Sequence, residues 1–389
     1  MSDIMTSKEC WLAALQLQPV DRLPFWPKLD KAYAQAQVFP FCKMELNAIH
    51  DWIGSDKHIG IPDCTREARK TTSLEIEQQS HLSCRKSIDP FYCMVKDDNA
   101  AKDGDVQITI FRTRYGSTKL VKKFNLDSQS WHPVEFPVKN LDDIKVMAEW
   151  FSDCSVELER KQLEEARACV EAIGSQAVTA ASIGRSPFML WVEWLAGVRN
   201  AHYLLADYRN EVEALFEVIH RNLLKKTEIL CEYNPCDILY FTEDTSTTLI
   251  SPVQYRQYCY RYIQEYGLLA RNADKLLALH MCGHLKALLP DLARLPVAGF
   301  EAFTSPPVGN TTLLDGRTAC PDKCLIGGTN AMLWTRSAGE IIAKIEEGLD
   351  VLPHHRGLVV TSAGIMPPLC RPETIRRVCQ WVRRYKARM

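Results

Sequence analysis

Short apolar runs that alternate with longer amphipathic segments constrain the fold of this chain more than any other feature. From residue 177 onward, six runs of four to six mostly apolar residues are each separated by a longer segment. Such runs are typical of strands buried on both faces, and their alternation with helical segments is typical of a parallel α/β fold. We therefore predict strands over residues 177–182, 237–241, 276–280, 299–303, 325–328 and 357–361.

The segments between these runs carry apolar residues at helical spacing. Residues 210–233 have apolar side chains at positions 212, 215, 216, 219, 223 and 224, which fits a period of 3.6. Ser251 and Pro252 form a good helix start, with proline in the first turn. We predict helices over 210–233, 252–271 and 338–348.

The first third of the chain differs from the remainder. Residues 105–136 alternate in polarity and are rich in β-formers, with Tyr115 and Gly116 at a turn, which predicts an inserted antiparallel β-hairpin. A further strand fits residues 22–26. The sequence thus predicts a (β/α)8 TIM-type barrel, one domain over residues 1–389 with an N-terminal helical and β-hairpin elaboration. A doubly wound sheet is the alternative.

The composition argues against nucleic-acid-binding, membrane-spanning and disulfide-stabilised classes of protein. The 47 basic and 48 acidic residues nearly cancel, which argues against a nucleic-acid-binding surface. The sequence has no 18-residue apolar stretch, so we expect no membrane span. The 15 cysteines in 389 residues fit a reduced, cytoplasmic protein better than a disulfide scaffold, because a chain of this length can bury a large core.

Reactive side chains follow the predicted strands at the end where a parallel barrel carries its active site. His280, Met281 and Cys282 end the predicted strand 276–280. In extended backbone, residues i and i+2 point the same way, so this imidazole and thiol can bind one ion. Nitrogen and sulfur ligands suit Zn²⁺. A core histidine beside a buried cysteine is the alternative, and the sequence alone leaves the two about even.

Four further positions complete the predicted reactive set. Asp244 and Cys259 are candidate additional metal ligands, although a helix-capping aspartate and a buried structural thiol are the alternatives. Glu243 and Glu301 are candidate catalytic residues for proton transfer. Cysteines that precede strands are interpreted as structural because they lie toward the opposite end of the barrel: Cys231, Cys236, Cys320 and Cys324.

A third group of residues could line a pocket for an apolar substrate. Its members lie at or just beyond the ends of predicted strands, and core packing is the alternative for the aromatic ones. The predicted substrate-binding residues are Tyr240, Phe241, Phe303, Asn330 and Met366.

The order of several motifs resembles the uroporphyrinogen decarboxylase superfamily over nearly the whole chain. The opening ALQLQPVDRLPFWP is similar to the entry into its first strand, and further similar motifs follow. These are Tyr115-Gly116-Ser117, Glu243-Asp244, Ser251-Pro252, His280-x-Cys282-Gly283, the stretch from Glu301 to Asn310, Gly327-Gly328-Thr329 and Ser362-Ala363-Gly364. The resemblance implies a (β/α)8 barrel with its site in the cleft at the C-terminal ends of the strands.

The resemblance extends to the zinc- and corrinoid-dependent methyltransferase branch. The decarboxylases carry arginines after the first strand, where this chain has Lys28 and Lys31, and lysine does not replace bidentate arginine well. His280 and Cys282 match the zinc ligands of the thiol-methylating members. Those members take another cysteine from the last strand end, where this chain has Ala363. In members that act on aryl methyl ethers, the ligand spacing is similar to that of Asp244, Cys259 and His280.

The resemblance implies a methyltransferase with two cofactors. It would move a methyl group between a corrinoid (cobalamin), carried by a partner protein, and either a thiol or a small methyl donor such as an aryl methyl ether. Zinc would act as the Lewis acid. Two alternatives stay open: a decarboxylase of tetrapyrroles, and a non-catalytic barrel that binds a tetrapyrrole or a partner protein.

Overall fold

The computed structural model describes residues 5–79, 104–128 and 130–389. The strands, in chain order, are β1 (Phe25–Trp26), β2 (His58–Gly60), β3 (Thr65–Arg69), β4 (Ser73–Gln79), β5 (Val106–Thr113), β6 (Gly116–Asn125), β7 (Ser130–Glu135), β8 (Cys154–Leu158), β9 (Val178–Gly184), β10 (Ile238–Thr242), β11 (Leu276–His280), β12 (Gly299–Phe303), β13 (Cys324–Gly328) and β14 (Leu358–Thr361).

Helices separate most of these strands. They are α1 (Ser7–Leu15), α2 (Lys31–Gln35), α3 (Leu46–Ile53), α4 (Leu141–Ser152), α5 (Arg160–Ile173), α6 (Pro187–Leu190), α7 (Val198–Asp207), α8 (Arg209–Tyr233), α9 (Pro252–Tyr255), α10 (Arg261–Asn272), α11 (Leu289–Leu292), α12 (Leu313–Ala319), α13 (Ala338–Asp350) and α14 (Pro372–Arg384). No helix in the described part of the chain is both long and apolar enough to cross a membrane.

Eight parallel strands form the central sheet, in the order β1-β14-β13-β12-β11-β10-β9-β2. The two strands at the ends of this order, β1 and β2, are consecutive among the barrel strands along the chain. That is the strand order of a (β/α)8 barrel, and the prediction of this fold is confirmed. The order is not the doubly wound one, in which it reverses partway across the sheet.

The predicted and observed strand boundaries agree best where the apolar pattern in the sequence is strongest. Strands β11 and β12 occupy the predicted residues 276–280 and 299–303. The other four of the six predicted strands differ from the observed ones by one or two residues at one or both ends. The predicted helix 252–271 is continuous but changes type, because a π-helical segment (Arg256–Tyr260) joins α9 to α10. Strand β2 was missed, because three residues are too few to show a period.

Apolar packing fills the N-terminal end of the barrel. Residues of α1, including Trp11, pack against Val178, Ile238 and Cys324, each of which begins its strand. The ring centroid of Trp11 lies 5.6 Å from that of Trp26. This end is therefore closed by side chains, which leaves the C-terminal end of the barrel for chemistry.

The chain divides into two compact units. The first comprises residues 1–65, 158–185 and 227–389 and contains the barrel strands; the second comprises residues 66–157 and 186–226. In the second unit β4, β5, β6 and β7 form an antiparallel sheet, and Thr113 pairs with Gly116 beside the turn between β5 and β6. The assignment of residues 1–389 to one barrel domain stays a prediction.

Candidate functional site

Three side chains with metal-binding atoms converge at the C-terminal ends of β10 and β11. Asp244 follows β10 by two residues, His280 ends β11, and Cys282 lies two residues further on. Their ligand atoms all lie within 4.8 Å of one another. His280 Nε2 is 2.9 Å from Asp244 Oδ1, and the Cys282 thiol donates to the same oxygen at 3.6 Å. The imidazole and the thiol therefore lie on the same side of this strand end.

The chemistry of this cluster fits zinc. Imidazole nitrogen, thiolate sulfur and carboxylate oxygen are the ligands that Zn²⁺ takes in proteins, at bond lengths of about 2.0–2.3 Å. Bonds of that length can join ligand atoms separated by the distances found here. Three protein ligands would leave one coordination position for a substrate, which is the pattern of a catalytic zinc site. Ca²⁺ and Mg²⁺ suit the site poorly, because they prefer oxygen ligands.

Glu301 contacts the Nδ1 edge of the His280 ring, on the side away from Asp244. The two residues are register partners on the neighbouring strands β11 and β12, and the Glu301 side chain is only 1% exposed. Its carboxylate accepts hydrogen bonds from His280 Nδ1 and from the Tyr240 hydroxyl. Lys28 Nζ lies 3.2 Å from each carboxylate oxygen. A connected polar network therefore contacts the candidate metal-binding cluster of Asp244, His280 and Cys282.

The charges in this network stabilise one another. Burial alone would raise the pKa of Glu301, but Lys28 and His280 outweigh it and lower the pKa below its usual value. Burial opposes the charged form of His280, yet the nearby Glu301 carboxylate and Asp244 raise the pKa of His280 well above 6.5. Burial likewise opposes the charged form of Asp244, and its hydrogen bond with His280 lowers the pKa. Both carboxylates are thus ionised near neutral pH.

Lys28 reaches the site from the loop after β1. Its backbone N–H donates to the Ser362 hydroxyl at 3.3 Å, and its carbonyl accepts from the Met366 N–H at 2.8 Å. These bonds tie the loop after β1 to the loop after β14. Sequence reasoning noted Lys28 only as the residue standing where decarboxylases have arginine; its position just after the first strand was the available signal.

His58 lies in the barrel near this network. Its ring stacks on Trp26 at 4.8 Å and meets Tyr240 edge-on at 5.6 Å. Its buried Nε2 has no hydrogen-bond partner. Burial lowers the pKa of His58 to about 4, so its ring is neutral near pH 7. Sequence reasoning missed this residue together with β2, which it begins.

Two predicted chemical residues lie outside the three-residue cluster. Cys259 is buried in the π-helical segment Arg256–Tyr260, and the cluster found among the described residues does not include it. Glu243 is fully buried beside Asp244. Its carboxylate accepts from the Thr245 hydroxyl at 2.9 Å, and its backbone N–H donates to the His280 carbonyl. The catalytic role of Glu243 stays a prediction.

The structure separates Phe241 and Phe303 from the metal-binding cluster. Phe241 packs on Tyr266 of α10 with ring centroids 5.4 Å apart. Phe303 lies so close to Gly316 of α12 that a Cβ there would meet its ring at 2.7 Å. Both rings therefore face the helices. Between Glu301 and Phe303 the register with the neighbouring strand shifts, and Ala302 has a φ of 59°. Regular alternation would place Glu301 and Phe303 on one face of the strand, and this irregularity separates them.

The other predicted substrate-binding residues hold loops at this end of the barrel. The Asn330 amide donates to the Ser305 hydroxyl at 2.9 Å and to the Pro306 carbonyl at 3.0 Å. Met366 is buried and bonded to Lys28 through its backbone. Ala363, at the position of the distal cysteine in the thiol-methylating enzymes, is buried with a φ of 60°.

No disulfide joins the cysteines in the described residues. Cys236, Cys320 and Cys324 are buried, and burial raises the pKa of each thiol, for Cys324 to about 12. Buried thiols in this protonated form are poor metal ligands, because the thiolate is the form that binds.

Comparison with known proteins identifies a family. The family model for uroporphyrinogen decarboxylase (URO-D) matches residues 134–385. Among solved structures, a methyltransferase from Methanosarcina mazei is 14% identical, with a TM-score of 0.58 over 97% of this chain and 98% of that one. A protein described as a putative vitamin-B12-independent methionine synthase from Listeria monocytogenes is 16% identical over 57% of this chain and 68% of that one, with a TM-score of 0.34. No curated protein matches.

Proposed function

The chain belongs to the uroporphyrinogen decarboxylase family, and from that premise we propose that it is a zinc-dependent methyltransferase. It moves a methyl group between a corrinoid carried by a partner protein and a small substrate, either a thiol or a methyl donor such as an aryl methyl ether. The observation that carries the proposal is the convergence of Asp244, His280 and Cys282 at the strand ends. The name of the Methanosarcina mazei neighbour is consistent with it.

The surroundings of Lys28 favour this proposal over decarboxylation of a tetrapyrrole. A substrate with several carboxylates requires cations that are available to bind it. Lys28 instead contacts both oxygens of the buried Glu301 carboxylate. Lysine also lacks the bidentate geometry with which arginine binds carboxylates.

The protein residues have distinct roles in this proposal. His280 Nε2, Cys282 Sγ and an Asp244 oxygen would hold zinc, which supplies a Lewis acid for the substrate oxygen or sulfur. The Cys282 thiol, which donates to Asp244 Oδ1 at 3.6 Å, would release its proton to solvent on binding the metal, because thiolate is the form that ligates zinc. The ionised form that Asp244 needs as a zinc ligand is favoured by its hydrogen bond with His280, which lowers its pKa despite burial.

Methylation of a corrinoid tests the proposal. The protein is purified anaerobically, loaded with zinc and mixed with Co(I) corrinoid and a panel of aryl methyl ethers; the reverse direction uses methyl-Co(III) corrinoid and thiols. We expect the absorbance of methyl-Co(III) to appear with an ether or to decay with a thiol. Cys282→Ser abolishes this change, whereas the matched control Cys320→Ser preserves it. Turnover of uroporphyrinogen without methyl transfer would contradict the proposal and favour the alternative function, decarboxylation of a tetrapyrrole.

A further inference from the structure

Glu301 contacts the edge of His280 that faces away from the other two metal-binding residues. Its carboxylate accepts from Nδ1, whereas Asp244 lies against Nε2. The carboxylate is buried and satisfied within the protein by Tyr240, Lys28 and His280. A residue that exchanges protons with substrate would need an oxygen open to the substrate, and the contacts of Glu301 point to another role.

We propose that Glu301 is a positioning residue for the metal centre, an inference that rests on the proposed zinc site. Its carboxylate, fixed by Tyr240 and Lys28, holds the Nδ1–H edge of His280 so that Nε2 faces the position between Asp244 and Cys282.

The chemistry of imidazole ligands gives the physical reason. A histidine binds a metal through one ring nitrogen, and the other carries a proton that needs an acceptor when buried. A carboxylate in that place selects the tautomer, fixes the orientation of the ring and raises its basicity. Glu301 provides it from a rigid position, because the Met281 N–H donates to the Glu301 carbonyl at 2.9 Å and locks the two strands in register.

Tyr240 and Lys28 keep this carboxylate in place. An unpaired buried carboxylate would cost several kcal/mol, so Glu301 needs both a cation and a hydrogen-bond donor. Lys28 supplies the cation and the Tyr240 hydroxyl supplies the donor. Tyr240 and Lys28 therefore act on the metal centre only indirectly, by holding the Glu301 carboxylate that orients His280.

Zinc affinity, measured by competition with a chromogenic chelator, tests the inference without an activity assay. We expect Glu301→Gln, which keeps the shape and one acceptor oxygen, to bind zinc about 10–100-fold more weakly. Glu301→Ala should lose more affinity and Tyr240→Phe less. The control Asp291→Asn removes a buried carboxylate that pairs with Arg256 and Arg294, and it should leave the zinc affinity unchanged.

Cobalt substitution separates positioning from direct ligation. The d–d bands of Co²⁺ should keep their number and intensity in Tyr240→Phe and Glu301→Gln, because the three ligands remain. Loss or gain of a band in Glu301→Gln would make Glu301 a direct ligand and overturn the inference. Equal zinc affinity of Glu301→Gln and the wild type would overturn it alone, whereas a wild type without zinc would overturn the proposed function as well.

Discussion

The two ends of the barrel contain the same kinds of side chain and differ in what surrounds them. At the N-terminal end, Cys324 lies among apolar residues, and burial raises the pKa of its thiol to about 12. At the C-terminal end, Cys282 lies 3.6 Å from the Asp244 carboxylate and within reach of His280. Residue type alone therefore does not identify a site; the convergence of polar neighbours does.

Two histidines show the same contrast. His58 is stacked on Trp26, and burial lowers its pKa to about 4. His280 lies between Glu301 and Asp244, and these carboxylates raise its pKa despite burial. One imidazole packs as a neutral aromatic ring, and the other takes part in an ionic network.

The largest expected effect on stability is at the apolar end. Trp11→Ala removes a fully buried ring that packs on Trp26, and we expect it to lower the free energy of unfolding by about 3–5 kcal/mol. Urea denaturation followed by circular dichroism measures this. A loss below about 1 kcal/mol would mean that the closed end does not stabilise the barrel as its burial indicates.

The corresponding change at the polar end should affect metal binding instead. Cys282→Ser replaces a proposed sulfur ligand. We expect zinc affinity to fall by more than the roughly 10–100-fold that is typical when a residue that orients a ligand is changed. Because Cys282 is only partly buried, its free energy of unfolding without metal should change by less than about 1 kcal/mol. Chelator competition measures the zinc affinity, and urea denaturation measures the free energy of unfolding. A large loss of stability with intact zinc binding would contradict the assignment of metal binding to the C-terminal end.

Acid should destabilise the protein partly through His58. Its pKa is 6.5 when unfolded and about 4 when folded, so the unfolded chain binds an extra proton as the pH falls between these values. The contribution of the neutral ring is present above pH 6.5 and is lost toward pH 4, up to about 3 kcal/mol. His58→Phe should flatten the dependence of unfolding free energy on pH; parallel curves for both proteins would contradict a neutral His58.

The smallest effect concerns Phe241. Because its ring faces Tyr266 and not the metal-binding cluster, Phe241→Leu should cost about 1 kcal/mol of stability and leave the KM for the methyl donor unchanged. Steady-state kinetics on the zinc-loaded protein measure this. A several-fold change in KM with unchanged stability would return Phe241 to the substrate pocket.

Local pattern predicts the strands well and predicts contacts across them less well. Strands β11 and β12 match their predicted bounds because each is a compact apolar run, and His280 and Cys282 share a side because extended backbone has a period of two. The contact between His280 and Glu301 depends on the register of two strands, which neither run encodes. Lys28 reaches Glu301 from the opposite end of the sequence.

Departures from regular backbone account for another limit. The positive φ of Ala302 shifts the register after Glu301, so Phe303 turns to the helices although the sequence spacing predicts a common face. The third member of the candidate metal-binding cluster, Asp244, can be identified from sequence because it lies three residues after a predicted strand. Cys259 belongs to a π-helical segment, a geometry that apolar spacing does not reveal.

Zinc stoichiometry of three proteins tests the contrast between the two barrel ends most directly. The wild type, the double variant His280→Ala/Cys282→Ser and the double variant Cys320→Ser/Cys324→Ser are purified anaerobically and analysed for bound metal. We predict about one zinc per chain in the wild type and in the Cys320/Cys324 variant, and almost none in the His280/Cys282 variant. Zinc that persists without His280 and Cys282, or that disappears with Cys320 and Cys324, would contradict the assignment of the metal centre to the C-terminal end.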